Sequence, residues 1–278
     1  MELTVLVDNN SLVDHYFDAE PGLSFYIEEE GKRILFDLGY SDAFARNANR
    51  MGIGLDRIDH IVFSHGHIDH TGGLFHFANL LAEARLEGKD FKAPELLCHP
   101  LALRTKLDDG FSFIGSPVSM DVIRSVFPCN FVKEPYFITR DLVFLGEVER
   151  SNGFEAKGTF GKTLVDGKGA ADRLLDDSAL AYRSEEGLVI ITGCSHSGIC
   201  NIISYAKKVL GEDRVRDVIG GLHLIRPSAE LMERTKGFFK DNRIEQAHPC
   251  HCTDLGSKIA LSEVCEVSEV GVGQSYVF

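Results

Sequence analysis

Apolar residues follow two rhythms along this chain, and each rhythm predicts an element. Short runs rich in Val, Ile, Leu and Phe, bounded by turn residues, predict strands over 3–7, 24–29, 33–37, 61–64, 96–98, 179–183, 188–192, 216–219 and 244–247. The first three, with a turn at Gly31, predict an antiparallel start to a sheet. Longer stretches with helical spacing predict helices over 41–50, 73–86, 199–210 and 229–240, and another after Asp254. Ser41 reads as the N-cap of the first helix, which ends near Gly52. Strands alternating with helices predict an α/β layer architecture. From about 100 to 175 the pattern loses regularity, which reads as an insertion within a single domain spanning 1–278.

One internal echo organises the chain. IVFSHGHIDHTGGLFHFANLL and VIITGCSHSGICNIISYAKKVL share a plan of buried strand, Ser-His, Gly-containing loop and helix. It predicts a duplicated βα unit in which Ser64-His65 corresponds to Ser195-His196.

Composition narrows the classes. The 278 residues are 44% hydrophobic and 26% charged, which excludes disordered and collagen-like chains. Acidic residues outnumber basic ones 42 to 29, a formal charge of −13 that repels phosphate backbones, so no nucleic-acid partner is expected. No apolar run approaches the ~20 residues of a spanning helix, so no membrane role is expected. The start, MELTVLVDNN, lacks the basic stretch of a signal peptide. Seven widely spaced cysteines with no CxxC pair read as reduced thiols of a cytoplasmic protein.

The chemistry concentrates in Ser64-His65-Gly66-His67-Ile68-Asp69-His70. Imidazole and carboxylate are the ligands of zinc, iron and manganese sites. An extended backbone projects His65 and His67 to one side, and Asp69 and His70 then turn toward a second ion. His99, His196, His223 and His251 each follow a predicted strand, where ligands of α/β sheets collect. His248 rivals His251 at the same strand end, whereas His15, His60 and His76 read as structural.

These residues resemble a known family. His65-Gly66-His67-Ile68-Asp69-His70, followed by Thr71-Gly72-Gly73, is similar to the signature of the metallo-β-lactamase superfamily, and Leu35-Phe36-Asp37-Leu38-Gly39 to its strand-Asp-X-Gly element. Thr192-Gly193-Cys194-Ser195-His196-Ser197-Gly198, Gly220-Gly221-Leu222-His223-Leu224 and His251-Cys252-Thr253 resemble its "superfamily II" group of metal-dependent hydrolases. The resemblance covers about 1–100 and 176–278, and it selects His251 over His248. It implies an αββα sandwich with a central insertion and a dinuclear cleft. The implied metal ligands are His65, His67, Asp69, His70, His196 and His251, with one or two ions, zinc before iron or manganese. Thr192-Gly193-Cys194 stands where the pattern carries a bridging Asp, and Asp176-Asp177 where it carries a histidine.

The resulting expectation is a metal-dependent hydrolase acting on a small anionic molecule through a metal-activated water. Asp69 orients or ligates that water, and His223 faces the substrate. The label carried by that group implies instead a condensation joining a pterin to an aminobenzene ribofuranosyl phosphate. A non-catalytic metal or ligand sensor is the remaining alternative. Phe111, Phe113, Phe127, Phe131, Tyr136, Phe137 and Phe160, with Arg104, Lys106 and Lys162, would suit a ring-bearing anion, or else a small core or a homodimer contact. Ala156–Thr163 approaches a P-loop but leads into no helix, so it reads as a flexible Gly/Lys loop. Cys250-His251-Cys252 would need two further ligands to hold a structural zinc, and none stands at a fixed spacing.

Overall fold

A computed structural model describes residues 1–110, 112–165 and 167–278 of the chain. Phe111, one of the aromatic residues named above, and Asp166 lie outside the described residues.

The chain opens with β1 (Glu2–Val7), β2 (Ser24–Glu29), β3 (Lys32–Phe36), α1 (Ala43–Met51) and β4 (His60–Val62). There follow α2 (Ile68–Thr71), α3 (Leu74–Leu86), β5 (Glu95–Cys98), β6 (Lys106–Leu107), α4 (Met120–Val126) and β7 (Cys129–Phe131). The middle contributes β8 (Tyr136–Phe137), β9 (Leu142–Phe144), β10 (Lys162–Val165) and β11 (Lys168–Ala171). The last part comprises β12 (Ala179–Ser184), β13 (Gly187–Thr192), α5 (Ile199–Leu210), β14 (Val215–Gly221) and α6 (Ala229–Asp241). It ends with β15 (Gln246–Cys250), α7 (Leu255–Leu261), β16 (Glu266–Val267) and β17 (Ser275–Val277).

These elements form two compact units. The first comprises Met1–Val132, Thr159–Asp176 and Gly271–Val277, and its main sheet runs β17-β1-β2-β3-β4-β5-β7. The second contains Lys133–Gly158 and Asp177–Val270, with the sheet β8-β9-β12-β13-β14-β15-β16. In each sheet the pairing is antiparallel up to the fourth strand and parallel beyond it. The fourth strands are β3 and β13. The sheet order therefore matches β3 to β13, β4 to β14 and β5 to β15.

That order corrects the sequence echo. His65, after β4, occupies the place of His223 after β14, and not that of His196 after β13. A strand–Ser–His string is a local likeness, whereas hydrogen-bonded neighbours set the position of a strand in its sheet. In both sheets the parallel strands bring their carboxyl ends to one edge of that sheet. The residues there are Asp37, His65 and His99 in the first unit, and Cys194, His223 and His251 in the second.

Each sheet has one face covered by helices. In the first unit Phe44 of α1 and Leu74 and Phe77 of α3 join Leu35, Ile61, Phe63 and Leu96 in a buried core. In the second, Ile199, Ile202, Ile203 and Ala206 of α5, with Phe239 of α6, pack on Ala181, Ile190 and Val218. Residues pointing to the opposite faces, such as Phe25, Phe36, Val62, Val189, Ile191 and Ile219, are also fully buried. Burial on both faces explains the continuous apolar runs read as strands.

The stretch from 100 to 175 is shared out. α4 and β7 belong to the first unit, β8 and β9 join the second sheet, and β6, β10 and β11 form a three-stranded sheet in the first unit. The stretch read as a flexible Gly/Lys loop continues into a paired hairpin, with Lys162 opposite Ala171 and Val165 opposite Lys168. At the first helix the cap position falls on Asp42, and Ser41 accepts the Ala43 N–H at 3.1 Å.

Candidate functional site

In the first unit, β4 delivers Ser64 through His67 to the start of α2. The local chain path depends on Gly66, where a Cβ would lie 1.6 Å from the Ala102 carbonyl oxygen. Only glycine permits that approach. The Gly66 N–H donates to Asp176 Oδ2 at 2.9 Å, so a buried carboxylate holds the loop between its two outer histidines.

Proton positions follow from Asp37. This residue is fully buried, sits just after β3 and adopts a left-handed φ of 58°. Its carboxylate can only accept. It takes the Ser64 N–H at 2.8 Å, the Ser64 hydroxyl at 2.6 Å and the His70 Nδ1–H at 2.7 Å. With its proton given to Asp37, the Ser64 oxygen accepts from His65 Nδ1 at 3.0 Å. One carboxylate thereby directs both imidazoles to the tautomer whose Nε2 carries a lone pair.

The three histidines lie together. The His65 and His70 rings are 4.3 Å apart, those of His65 and His67 are 4.6 Å apart, and His65 Nε2 stands 3.0 Å from His67 Nδ1. Asp69 Oδ2 stands 3.7 Å from His70 Nε2. Burial pushes the His67 imidazole down to about 4, so it is neutral near pH 7. Three clustered imidazoles beside a carboxylate are a donor set that fits a divalent cation. Phe160 packs beside His67 with ring centroids 5.1 Å apart.

Lys106 does not face a substrate as a free cation. It is buried and bonded to Asp172 at 2.6 Å and Asp176 at 2.9 Å, because a buried ammonium needs carboxylates to offset its lost hydration. Phe160 is exposed and Lys162 partly exposed.

In the second unit, three loops meet at the edge of their sheet. Cys194 Sγ lies within 4.8 Å of a ligand atom of each of His196, His223, His251 and Cys252. The His196 and His223 rings are 4.2 Å apart. Ser195, His223 and His251 all adopt left-handed backbone conformations, one in each loop. Such strain collects where side chains must be aimed at one point. His248 lies inside β15 and faces Asp217 Oδ1 at 2.9 Å, so it serves the sheet, while His251 follows the strand. His99 Nδ1 accepts the Leu101 N–H at 3.2 Å and shapes a turn. Asp177 accepts the Ser197 N–H at 2.7 Å and supports the loop after β13.

Sequence reading missed the roles of Asp176, Lys106 and Cys252, whose partners are distant in the chain. Asp37 was quoted as part of a motif, and its hydrogen-bonding role emerges only from the geometry.

The family model described as the metallo-beta-lactamase superfamily matches residues 17–113. An uncharacterized protein of Methanocaldococcus jannaschii is 31% identical over 263 residues, covering 94% of each chain. A 7,8-dihydropterin-6-methyl-4-(β-D-ribofuranosyl)-aminobenzene-5′-phosphate synthase of the same organism is 32% identical over 258 residues, covering 89% of this chain and 85% of that protein. The crystal structure of Tm1679, described as a metal-dependent hydrolase of the β-lactamase superfamily, aligns with a TM-score of 0.84 and 28% identity, covering 100% of this chain and 99% of that one. The fold, with its mixed α/β sheets, is the metallo-β-lactamase fold, and the chain belongs to the metallo-β-lactamase superfamily.

Proposed function

We propose that this protein is a metal-dependent hydrolase that acts on a small anionic substrate. The observation that carries this reading is the Asp37–Ser64 network, which sets His65 and His70 in the tautomer that a metal-ligating Nε2 requires. His65, His67, Asp69 and His70 would hold metal in the first unit, and His196 and His251 would hold it in the second. Bound divalent ions, zinc before iron or manganese, supply Lewis acidity and lower the pKa of water. Asp69, partly exposed beside His70 Nε2, orients the attacking water and takes up its proton. Phe160 offers an aromatic face beside His67. A charge of −13 disfavours nucleic acid as partner, and among the described residues no helix is long and apolar enough to cross a membrane. The cysteine pattern fits a reducing, cytoplasmic setting.

Elemental analysis of protein purified without added metal, followed by a screen of phosphoesters, lactones and thioesters, tests the reading. One to two transition-metal equivalents and metal-dependent turnover are expected. Less than a tenth of an equivalent, with no uptake on reconstitution, would refute it.

The 32% identity to the pterin-related synthase favours a second reading, in which the same residues assist a condensation that forms a pterin–aminobenzene bond. Product formation from a pterin and an aminobenzene ribofuranosyl phosphate, without hydrolysis in the screen, would select it.

A further inference from the structure

We propose that Cys194, Cys252 and His223 of the second unit form a thiolate-containing metal site. It is fitted to a borderline-soft divalent cation such as Zn²⁺. The proposal does not rest on the hydrolase reading, since none of its donors lies on the 65–70 loop. The Sγ atoms of Cys194 and Cys252 and a ring nitrogen of His223 all lie within 4.8 Å of one another. Both cysteines are buried thiols. Two sulfurs and one imidazole from three different loops make a donor set that zinc and similar ions select over calcium or magnesium.

The surrounding backbone is built around the sulfur. A Cβ on Gly221 would lie 2.6 Å from Cys252 Sγ, so glycine there makes room for the thiol. The His223 N–H points to Cys252 Sγ at 3.3 Å, a contact that stabilises a thiolate. The Ser195 hydroxyl donates to the Gly221 carbonyl at 2.7 Å and the Leu222 N–H to Thr253 Oγ1 at 3.0 Å, tying the three loops together. The left-handed φ of 51° at His223 turns its ring back toward the sulfurs instead of continuing β14. On this assignment His223 is a ligand, not the substrate-facing group that its Gly-Gly-Leu-His context suggested. The Cys250-His251-Cys252 segment finds its missing donors on loops far away in the chain.

The test is a Co²⁺ titration of full-length protein stripped of metal under reducing conditions, read by the near-ultraviolet thiolate-to-cobalt charge-transfer band. The band is expected to saturate at one equivalent in the wild type, and also in a His65→Ala/His67→Ala variant. It should weaken in Cys194→Ser and in Cys252→Ser and vanish when both are replaced, and His223→Ala should weaken Co²⁺ binding at least ~tenfold. A second measurement needs no substitution: Zn²⁺ loading should protect Cys194 and Cys252 from alkylation, read by mass spectrometry. A wild-type protein without the band, a band that survives in the Cys194→Ser/Cys252→Ser double variant, or absence of protection would overturn the proposal. Loss of the band in His65→Ala/His67→Ala would also overturn it, by showing that the thiolates act only with the 65–70 loop.

Discussion

Asp37 acts through protons. Its carboxylate occupies the Ser64 hydroxyl and His70 Nδ1, and through Ser64 it sets the tautomer of His65. Asp37→Ala should therefore lower metal affinity by ~10- to 100-fold while leaving both histidines in the chain. Competition against a chelator of known affinity measures this, and unchanged affinity would refute the assignment. Asp69 differs because its carboxylate is partly exposed beside His70 Nε2. Asp69→Ala is expected to abolish turnover and retain the fold, as judged by circular dichroism. An unchanged kcat in metal-replete variant protein would remove Asp69 from the chemistry.

At the scale of elements, Lys106 ties the small β6–β10–β11 sheet to the chain that supports the histidine loop. Its ammonium bonds to Asp172 and Asp176, and Asp176 in turn accepts from Gly66. Lys106→Met leaves two buried carboxylates uncompensated and should cost about 3–5 kcal/mol in urea unfolding. Replacing all three charges together, as Lys106→Met/Asp172→Asn/Asp176→Asn, should recover most of that loss. Burial alone would raise the Asp176 carboxyl, but the Lys106 charge, its hydrogen bond, His67 and the Gly66 N–H together hold it below the usual aspartate range. Its contribution to stability is therefore present above the unfolded-state pKa and is lost as pH falls through the lower folded-state value. Acid titration of unfolding should show a smaller decline in Asp176→Asn than in the wild type over that window. Phe160, two residues before β10, touches His67, so Phe160→Ala should raise KM severalfold with little change in metal content. Loss of metal from that variant would instead make Phe160 a support of the loop.

For the whole molecule, metal binding and folding are linked. Ligands that exist as a set only in the folded chain bind metal there and not in the unfolded chain, so loading stabilises the fold by mass action. Free metal at ~100 times Kd adds about 2.7 kcal/mol. That corresponds to a melting shift on the order of 5–10 °C for a chain of this size. Scanning calorimetry before and after chelation should show that drop, and re-addition of Zn²⁺ should reverse it. A melting temperature that does not respond to chelation would mean that the histidine cluster holds no ion in the folded protein.

The sequence by itself determined what depends on near neighbours. The helix over 199–210 was read to both its ends, because an apolar face at helical spacing is a local signal. The His65–His70 loop was legible for the same reason, with all its donors inside six residues, and so was the family. The nine strands read from the sequence were also legible, although β15 runs to Cys250 rather than to 247, which carries His248 into the strand, whereas β6–β11, β16 and β17 were not read. Tertiary structure decided everything that requires two distant segments to meet. Residues 37 and 70, 106 and 176, or 194 and 252 have no periodic relation, and their pairing is set by strand order and by the need of buried charges and donors for partners. The match of β4 with β14 belongs to this class, since hydrogen bonding between neighbouring strands, and not the likeness of two Ser-His strings, defines it. So does the fate of Lys106, read from the sequence as a cation for substrate or else part of a small core or dimer contact, and found with its charge already held by two buried carboxylates.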